Sequence, residues 1–210
     1  MTARLSRESI VAAALDVLDE QGIDGVTVRA VAARLDVKAP ALYWHVRNKQ
    51  ELLDEMGTEI QRRVNAAADL GRVTGRSRRE YLAGYARALR TEYLAHRDGA
   101  RTFSGTRLAS PEVLRDQEPW FESWTAAGLD LADAIDAGEV VTAFVVGFVI
   151  EEQERRQSDD ARYSLATRDA ALGAGAPLAM AAGHARRGAE ERFERQLDLV
   201  LAGLDARFGG

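Results

Sequence analysis

Apolar positions in the first third of the chain recur at helical spacing, in short pieces separated by capping residues. Ile10, Ala14, Val17 and Leu18 fall at i, i+4, i+7 and i+8, one face of a helix. Ser6 is placed to cap that helix, with Leu5 and Ile10 as a hydrophobic staple, and Gly22 stands where a left-handed residue ends it. Thr27 repeats the device for a second helix, with Val26 and Val31 as staple and Val28, Val31, Ala32 and Leu35 turned inward. Asp36-Val37-Lys38 leaves room only for a tight turn. A third helix then starts near Ala39-Pro40, where proline suits the first turn, and runs to about Val46. Asn48 with Glu51 forms a start of capping-box type for a fourth. Two short helices joined by so brief a turn make a helix-turn-helix, in which the second can lie in the major groove of DNA.

Beyond about Asn65 the pattern lengthens. It predicts helices over Ser77 to His96, over Pro111 to Ala127 with a kink at Pro119, and over Asp130 to Arg156. Gln157 to Gly188 reads as a loop with one weak helix, and Ala189 to Phe208 closes the chain with Phe193, Leu197, Val200, Leu201 and Leu204 on one side. No strand-like alternation stands out, so the expected fold is all-α. An N-terminal helix-turn-helix head occupies residues 1–48, a connecting helix 49–67, and a helical ligand-binding and dimerisation domain 68–210. The segment Val140 to Ile150 is apolar around its whole circumference and must be covered on all sides. In a chain of 210 residues one face can go to the core and another to a second subunit, with the last helix as the other half of a four-helix, two-fold interface. Such a homodimer presents two recognition helices roughly 34–36 Å apart.

Charge sharpens this picture. The formal net charge of −5 argues against a nucleic-acid binder as a whole. Between Thr27 and Lys49, however, Arg29, Arg34, Lys38, Arg47 and Lys49 stand against Asp36 alone, a balance of +4 from five minus one. A basic patch on an acidic body suits site-directed DNA binding. With no cysteine, disulfides and thiolate metal sites are excluded. Arg4, Arg7 and Glu8 precede any apolar run, and the most apolar stretch is about half of what a bilayer demands. The expectation is a soluble cytoplasmic protein with no membrane partner.

The strings Gly22-Ile23-Asp24-Gly25, Thr27-Val28-Arg29 and Ala41-Leu42-Tyr43-Trp44-His45-Val46-Arg47-Asn48-Lys49 resemble the tetracycline-repressor family. His96-Arg97-Asp98-Gly99-Ala100, Gly105-Thr106-Arg107 and Glu151-Glu152-Gln153-Glu154 extend the resemblance into the second half, toward the tetracycline-binding subgroup. It implies a homodimer on a double-stranded DNA operator, released by a small-molecule effector. The DNA-binding candidates are Thr27, Arg29, Lys38, Ala39, Pro40, Ala41, Tyr43, Trp44, His45 and Lys49. Arg29 and Lys49 are the expected phosphate clamps. Ala39 and Ala41 stand where the subgroup reads bases with polar side chains, and alanine can only touch a thymine methyl or leave space. Lys38 replaces an acidic residue and could reach guanine or phosphate.

The ligand candidates are Asn65, Tyr85, Leu89, Phe103, Thr106, Trp120, Trp124, Phe144 and Glu151. Here the chain departs from the subgroup. Asn65 and Tyr85 stand in place of drug-binding His and Asn, Trp120 in place of Gln, and Phe103 in place of the histidine that ligates magnesium. The expected effector is therefore a flatter, more apolar molecule than a magnesium–tetracycline complex, and neither a metal site nor a cofactor is expected. Plain packing competes for several of these: Tyr43 and Trp44 could be core of the small head, and Trp120 and Trp124, at i and i+4, core or dimer packing. His96 and His184 belong to no motif. Three histidines, no cysteine and no phosphate loop leave little machinery for an enzyme. The other alternative keeps the DNA head but uses the second half only for dimerisation or a protein partner.

Overall fold

A computed structural model describes residues 5–71, 75–158 and 160–209; Arg4, which entered the reading of the N-terminus, lies outside them. The described residues are helical, with no strand. Helix α1 (Arg7–Gly25) is capped by Ser6, whose hydroxyl accepts the Ser9 N–H at 3.2 Å. Gly22 breaks its regular course with φ 72°, and the helix resumes for a few residues beyond, where the sequence pattern had it end. α2 (Val28–Arg34) is capped by Thr27, which accepts the Ala30 N–H at 3.0 Å.

The third helix is shorter than its pattern. α3 spans only Ala39–Leu42, and residues 43–45 form a turn rather than continuing to Val46. Fixing a helical turn costs more than one hydrogen bond returns. This segment starts without a side-chain cap and buries little besides Leu42 and Val46. The i, i+4 relation between those two survives, because Val46 N–H still donates to Leu42 C=O at 2.9 Å. α4 (Lys49–Ala67) begins at Asn48, which accepts the Glu51 N–H at 2.9 Å, while the Glu51 carboxylate reaches back to the Arg47 N–H at 2.7 Å.

The body is built around α5 (Arg78–Ala95), started by a Ser77–Glu80 capping box. It packs against α4, α6 (Gly99–Phe103), α9 (Leu131–Gln157) and α12 (Ala189–Phe208). The single helix expected over Pro111 to Ala127 is two, α7 (Pro111–Arg115) and α8 (Glu118–Ala126). Pro119 is responsible: it has no N–H for the Arg115 carbonyl and its ring collides with that group, so the chain restarts with proline in the first turn. α9 turns Val141, Val145, Phe148 and Val149 inward against Phe193, Leu197 and Leu201 of α12. The Arg90 guanidinium lies 4.6 Å from the Phe193 ring centroid and pairs with buried Glu152 at 3.1 Å. In place of one weak helix, α10 (Leu165–Leu172) and α11 (Pro177–His184) form a small pair with no fully buried residue. Among the described residues no helix is long and apolar enough to cross a membrane.

Candidate functional site: DNA-binding face and ligand pocket

The head buries Leu42 and Val46 and thereby turns the rest of the 38–49 segment outward. Tyr43 is 52% exposed and Trp44 90% exposed, so neither is head core. Thr27, Arg29, Lys38 and Pro40 are exposed beside them, while Ala39, Ala41 and His45 are half-buried. Among the described residues Arg29 and Lys38 have no ion-pair partner, whereas Arg34 is held by Asp16 and Glu20 on α1. Lys49, the other expected clamp, is engaged within the chain: its ammonium donates to the Ile23 carbonyl at 2.9 Å, tying the start of α4 to the end of α1.

The ligand candidates divide. Asn65, Tyr85 and Trp120 line one cavity of about 280 Å³ between α4, α5, α8 and α9. Tyr85 shares a hydrogen bond with Thr142 on α9 at 3.0 Å, and burial raises its phenol pKa, keeping it neutral. Trp120 stacks on Tyr81 at 4.7 Å with only 12° between the planes, and Trp124 sits behind it, edge-on at 5.0 Å. Leu89, Phe103 and Trp124 are core beyond the wall; Phe103 packs on Tyr93 and His96, both at 6.0 Å. Phe144 stacks on Phe193 at 5.5 Å. Glu151 is exposed on the outside of α9, 3.4 Å from Arg186, and does not reach the cavity of its own chain. Thr106 faces α4 instead.

Sequence reasoning missed Gln61, Tyr81, Gln117, Gly138, Glu139 and Thr142, all on the cavity wall. A signal was there: Gln61–Asn65, Tyr81–Tyr85 and Gly138–Thr142 are i, i+4 pairs that share a helix face with an expected residue or with each other. It also missed what joins head to body. His96 Nδ1 meets the Asp19 carboxylate of α1 at 3.0 Å, the Arg97 N–H donates to the same carboxylate at 3.0 Å, and the Arg97 side chain donates to the Glu20 carbonyl at 3.3 Å. Since the carboxylate can only accept, His96 carries its proton on Nδ1. A second joint clips the loop after α6 to α4. Arg107 N–H donates to Asp54 at 3.1 Å, Ala109 N–H donates to Thr58 at 2.8 Å, and Thr106 lies against Gly57 between them. The cavity wall and the DNA-facing head thus share α4.

Both halves match known family profiles. The one described as "Bacterial regulatory proteins, tetR family" covers residues 10–56, and "Tetracyclin repressor-like, C-terminal domain" covers residues 51–208. The chain is 37% identical over 206 residues to the tetracycline repressor protein class A from transposon 1721 of Escherichia coli, covering 97% of this chain and 92% of that protein. Among solved structures, a possible TetR family transcriptional regulator from Streptomyces coelicolor A3(2) superposes with a TM-score of 0.78 at 36% identity, over 96% of this chain and 99% of that one. The Streptomyces coelicolor TetR family protein ActR in complex with actinorhodin gives 0.80 at 26% identity, over 99% and 100%. These relatives are regulators of transcription, which sets the enzyme alternative aside. With a helix-turn-helix at one end, a helical ligand domain at the other and both profiles matched in order, the chain belongs to the TetR family of bacterial transcriptional regulators.

Proposed function

We propose that this protein is a repressor that binds a palindromic operator as a homodimer and releases it when an apolar, aromatic small molecule enters the cavity between α4, α5, α8 and α9. The observation that carries the effector reading is the wall itself. Tyr81, Tyr85 and Trp120 help to line about 280 Å³, just under the range of about 300–1,000 Å³ that small-molecule sites occupy. Phe103, which has no metal-donor atom, is packed into the core. A magnesium–tetracycline complex does not suit these residues, because the imidazole is replaced by a phenyl ring and Glu151 is engaged with Arg186.

On the DNA side, Tyr43 and Trp44 offer flat apolar surface beside unpaired Arg29 and Lys38, an arrangement that fits a groove wall flanked by phosphates. Ala39 and Ala41 favour thymine methyl contacts, and Lys38 a guanine or phosphate. Lys49 acts as a clamp through its place at the N-terminus of α4, from which it can turn from Ile23 to a phosphate. The symmetric pair is supported by small and apolar side chains left uncovered on α9 (Val140, Ala143, Gly147) and α12 (Leu199, Ala202, Gly203, Ala206). The division at residues 48 and 67 follows the same logic, with α4 as the shared lever.

The test pairs two measurements on the intact protein. Selection from a random duplex library should return an inverted repeat with half-sites about one helical turn apart. Calorimetry with tetracycline and magnesium should show no tight binding. Tight tetracycline binding, or no enriched duplex at low salt, overturns the reading.

A further inference from the structure

The cavity has a sign as well as a shape. Among the described residues its wall holds Glu139 and no Lys, Arg or His. Every charged residue from Asp116 to Glu154 is acidic, and this stretch contains α8 and all of α9 except its last three residues, where Arg155 and Arg156 stand; these helices supply two of the cavity's four sides. Glu139 is exposed at the rim and has no ion-pair partner among the described residues. Arg76, whose charge reaches the Tyr81 phenol, donates to the Ala68 carbonyl at 2.8 Å and is not part of the wall.

The polar groups inside carry the same preference. The Asp116 carboxylate can only accept, so the Asn65 amide nitrogen must face it, at 2.9 Å. The Asn65 oxygen is then left to accept from the Gln61 nitrogen at 2.7 Å. That orientation leaves the Gln61 carbonyl oxygen as a spare acceptor, beside one neutral N–H on each of the two amides. Tyr81 cannot supply a charge of its own, since burial pushes its phenol up to about 12. Among its described residues, therefore, the site offers no donor with positive charge. A carboxylate or phenolate would find no counter-ion among them, and would be taken out of water toward an acidic rim.

Resting on the effector reading above, we propose that this cavity takes planar aromatic amines in their cationic form and rejects aromatic acids. The ring system slides against the Tyr81–Trp120 stack, and the N–H groups of the delocalised cation lie toward Gln61 and Glu139. Stacked aromatic walls and a nearby carboxylate are the usual partners of an organic cation.

The experiment uses three probes of one shape: aminoacridine, acridine and acridine carboxylate, titrated into the full-length protein by calorimetry. The amine should bind about tenfold or more tightly than the carboxylate at low salt, with neutral acridine between them, and the spread should shrink at high salt. Glu139→Gln should narrow the amine-to-carboxylate ratio by about threefold while leaving acridine unchanged, the size expected for a rim charge. Gly138→Leu serves as the site control. A Cβ there meets open space, so the larger side chain fills the cavity without disturbing the helix, and all three probes should lose affinity. Equal affinities, or a preference for the carboxylate, overturn the charge proposal and leave the aromatic pocket standing. Binding of none of the probes, or binding untouched by Gly138→Leu, overturns the pocket as well.

Discussion

Gly57→Ala tests the joint between α4 and the loop after α6 with a sign that two effects contest. Gly57 is buried in the interior of α4, where alanine is a better helix former by about 0.8–1.0 kcal/mol. Against that gain, a Cβ at this position would stand 2.1 Å from Thr106 Oγ1 and 2.9 Å from Thr106 Cβ. Rotating the threonine relieves the first contact but not the second. The loop cannot retreat easily, because Arg107 and Ala109 hold it to Asp54 and Thr58 on either side, and the Thr106 hydroxyl donates to the Phe103 carbonyl at 2.8 Å. Forcing a methyl into such a contact costs about 1–3 kcal/mol, so the net effect is a loss of about 1 kcal/mol. For a chain of this size that lowers Tm by about 2–4 °C, measured at fixed protein concentration because a dimer's melting point depends on it. The full assay is a double-mutant cycle with Thr106→Gly, which removes the three atoms nearest the new methyl. The pair should then show a favourable coupling of about 1 kcal/mol or more, with Gly57→Ala stabilising in the Thr106→Gly background. A Tm for Gly57→Ala above that of the parent, or a coupling of zero, refutes the close approach and with it the view that α4 feels the loop directly.

Other expectations are simpler. Trp44→Ala should weaken operator binding by about tenfold or more without moving Tm, since the side chain contributes almost no buried surface to the head; unchanged binding in a gel shift removes it from the interface. Lys49→Ala should weaken all duplexes alike and lower the salt slope by about one unit. Because Lys49 also holds the Ile23 carbonyl, a lower Tm with an unaltered slope would make it a brace rather than a clamp. Arg90→Met should cost about 1–3 kcal/mol in urea unfolding, because Glu152, 3% exposed, then keeps only the exposed Arg156 as a counter-ion. Leu199→Glu, at a side chain 72% exposed in the single chain, should leave the fold intact and convert the dimer to monomer in sedimentation.

Local chemistry was the most legible part of this chain. Ser6, Thr27 and Asn48 each cap the helix their sequence context indicates, and Ser77 and Asp130, read only as approximate helix starts, are caps as well, because a cap needs only neighbours two or three residues away. The overlong third helix came from the same source read too far: Leu42 and Val46 share a face at i, i+4, but a turn satisfies that relation as well as a helix does. The ligand site was legible only in part. Asn65, Tyr85 and Trp120 meet, yet Thr142 and Glu139 arrive from α9 across more than fifty residues from Tyr85, and no local pattern announces that contact. His96 is the sharpest case. Alone in the sequence it belongs to no motif; folded, it joins α1 to the body through Asp19, 77 positions away. Glu151 and Phe144 were carried by resemblance alone, and neither joins the cavity within one chain.

The placement of the three tryptophans has a practical consequence. Trp44 stands almost wholly in solvent on the head, while Trp120 and Trp124 lie together in the dry body, against Tyr81 and Phe208. One excitation therefore lights two reporters of different colour: a red-emitting indole that DNA seated on the head would quench and a blue-emitting pair that an aromatic molecule in the cavity would quench. Under the proposed function, a single stopped-flow trace of the unlabelled protein would record which happens first, the filling of its interior or the loss of its hold on DNA, and how long the signal takes to cross α4.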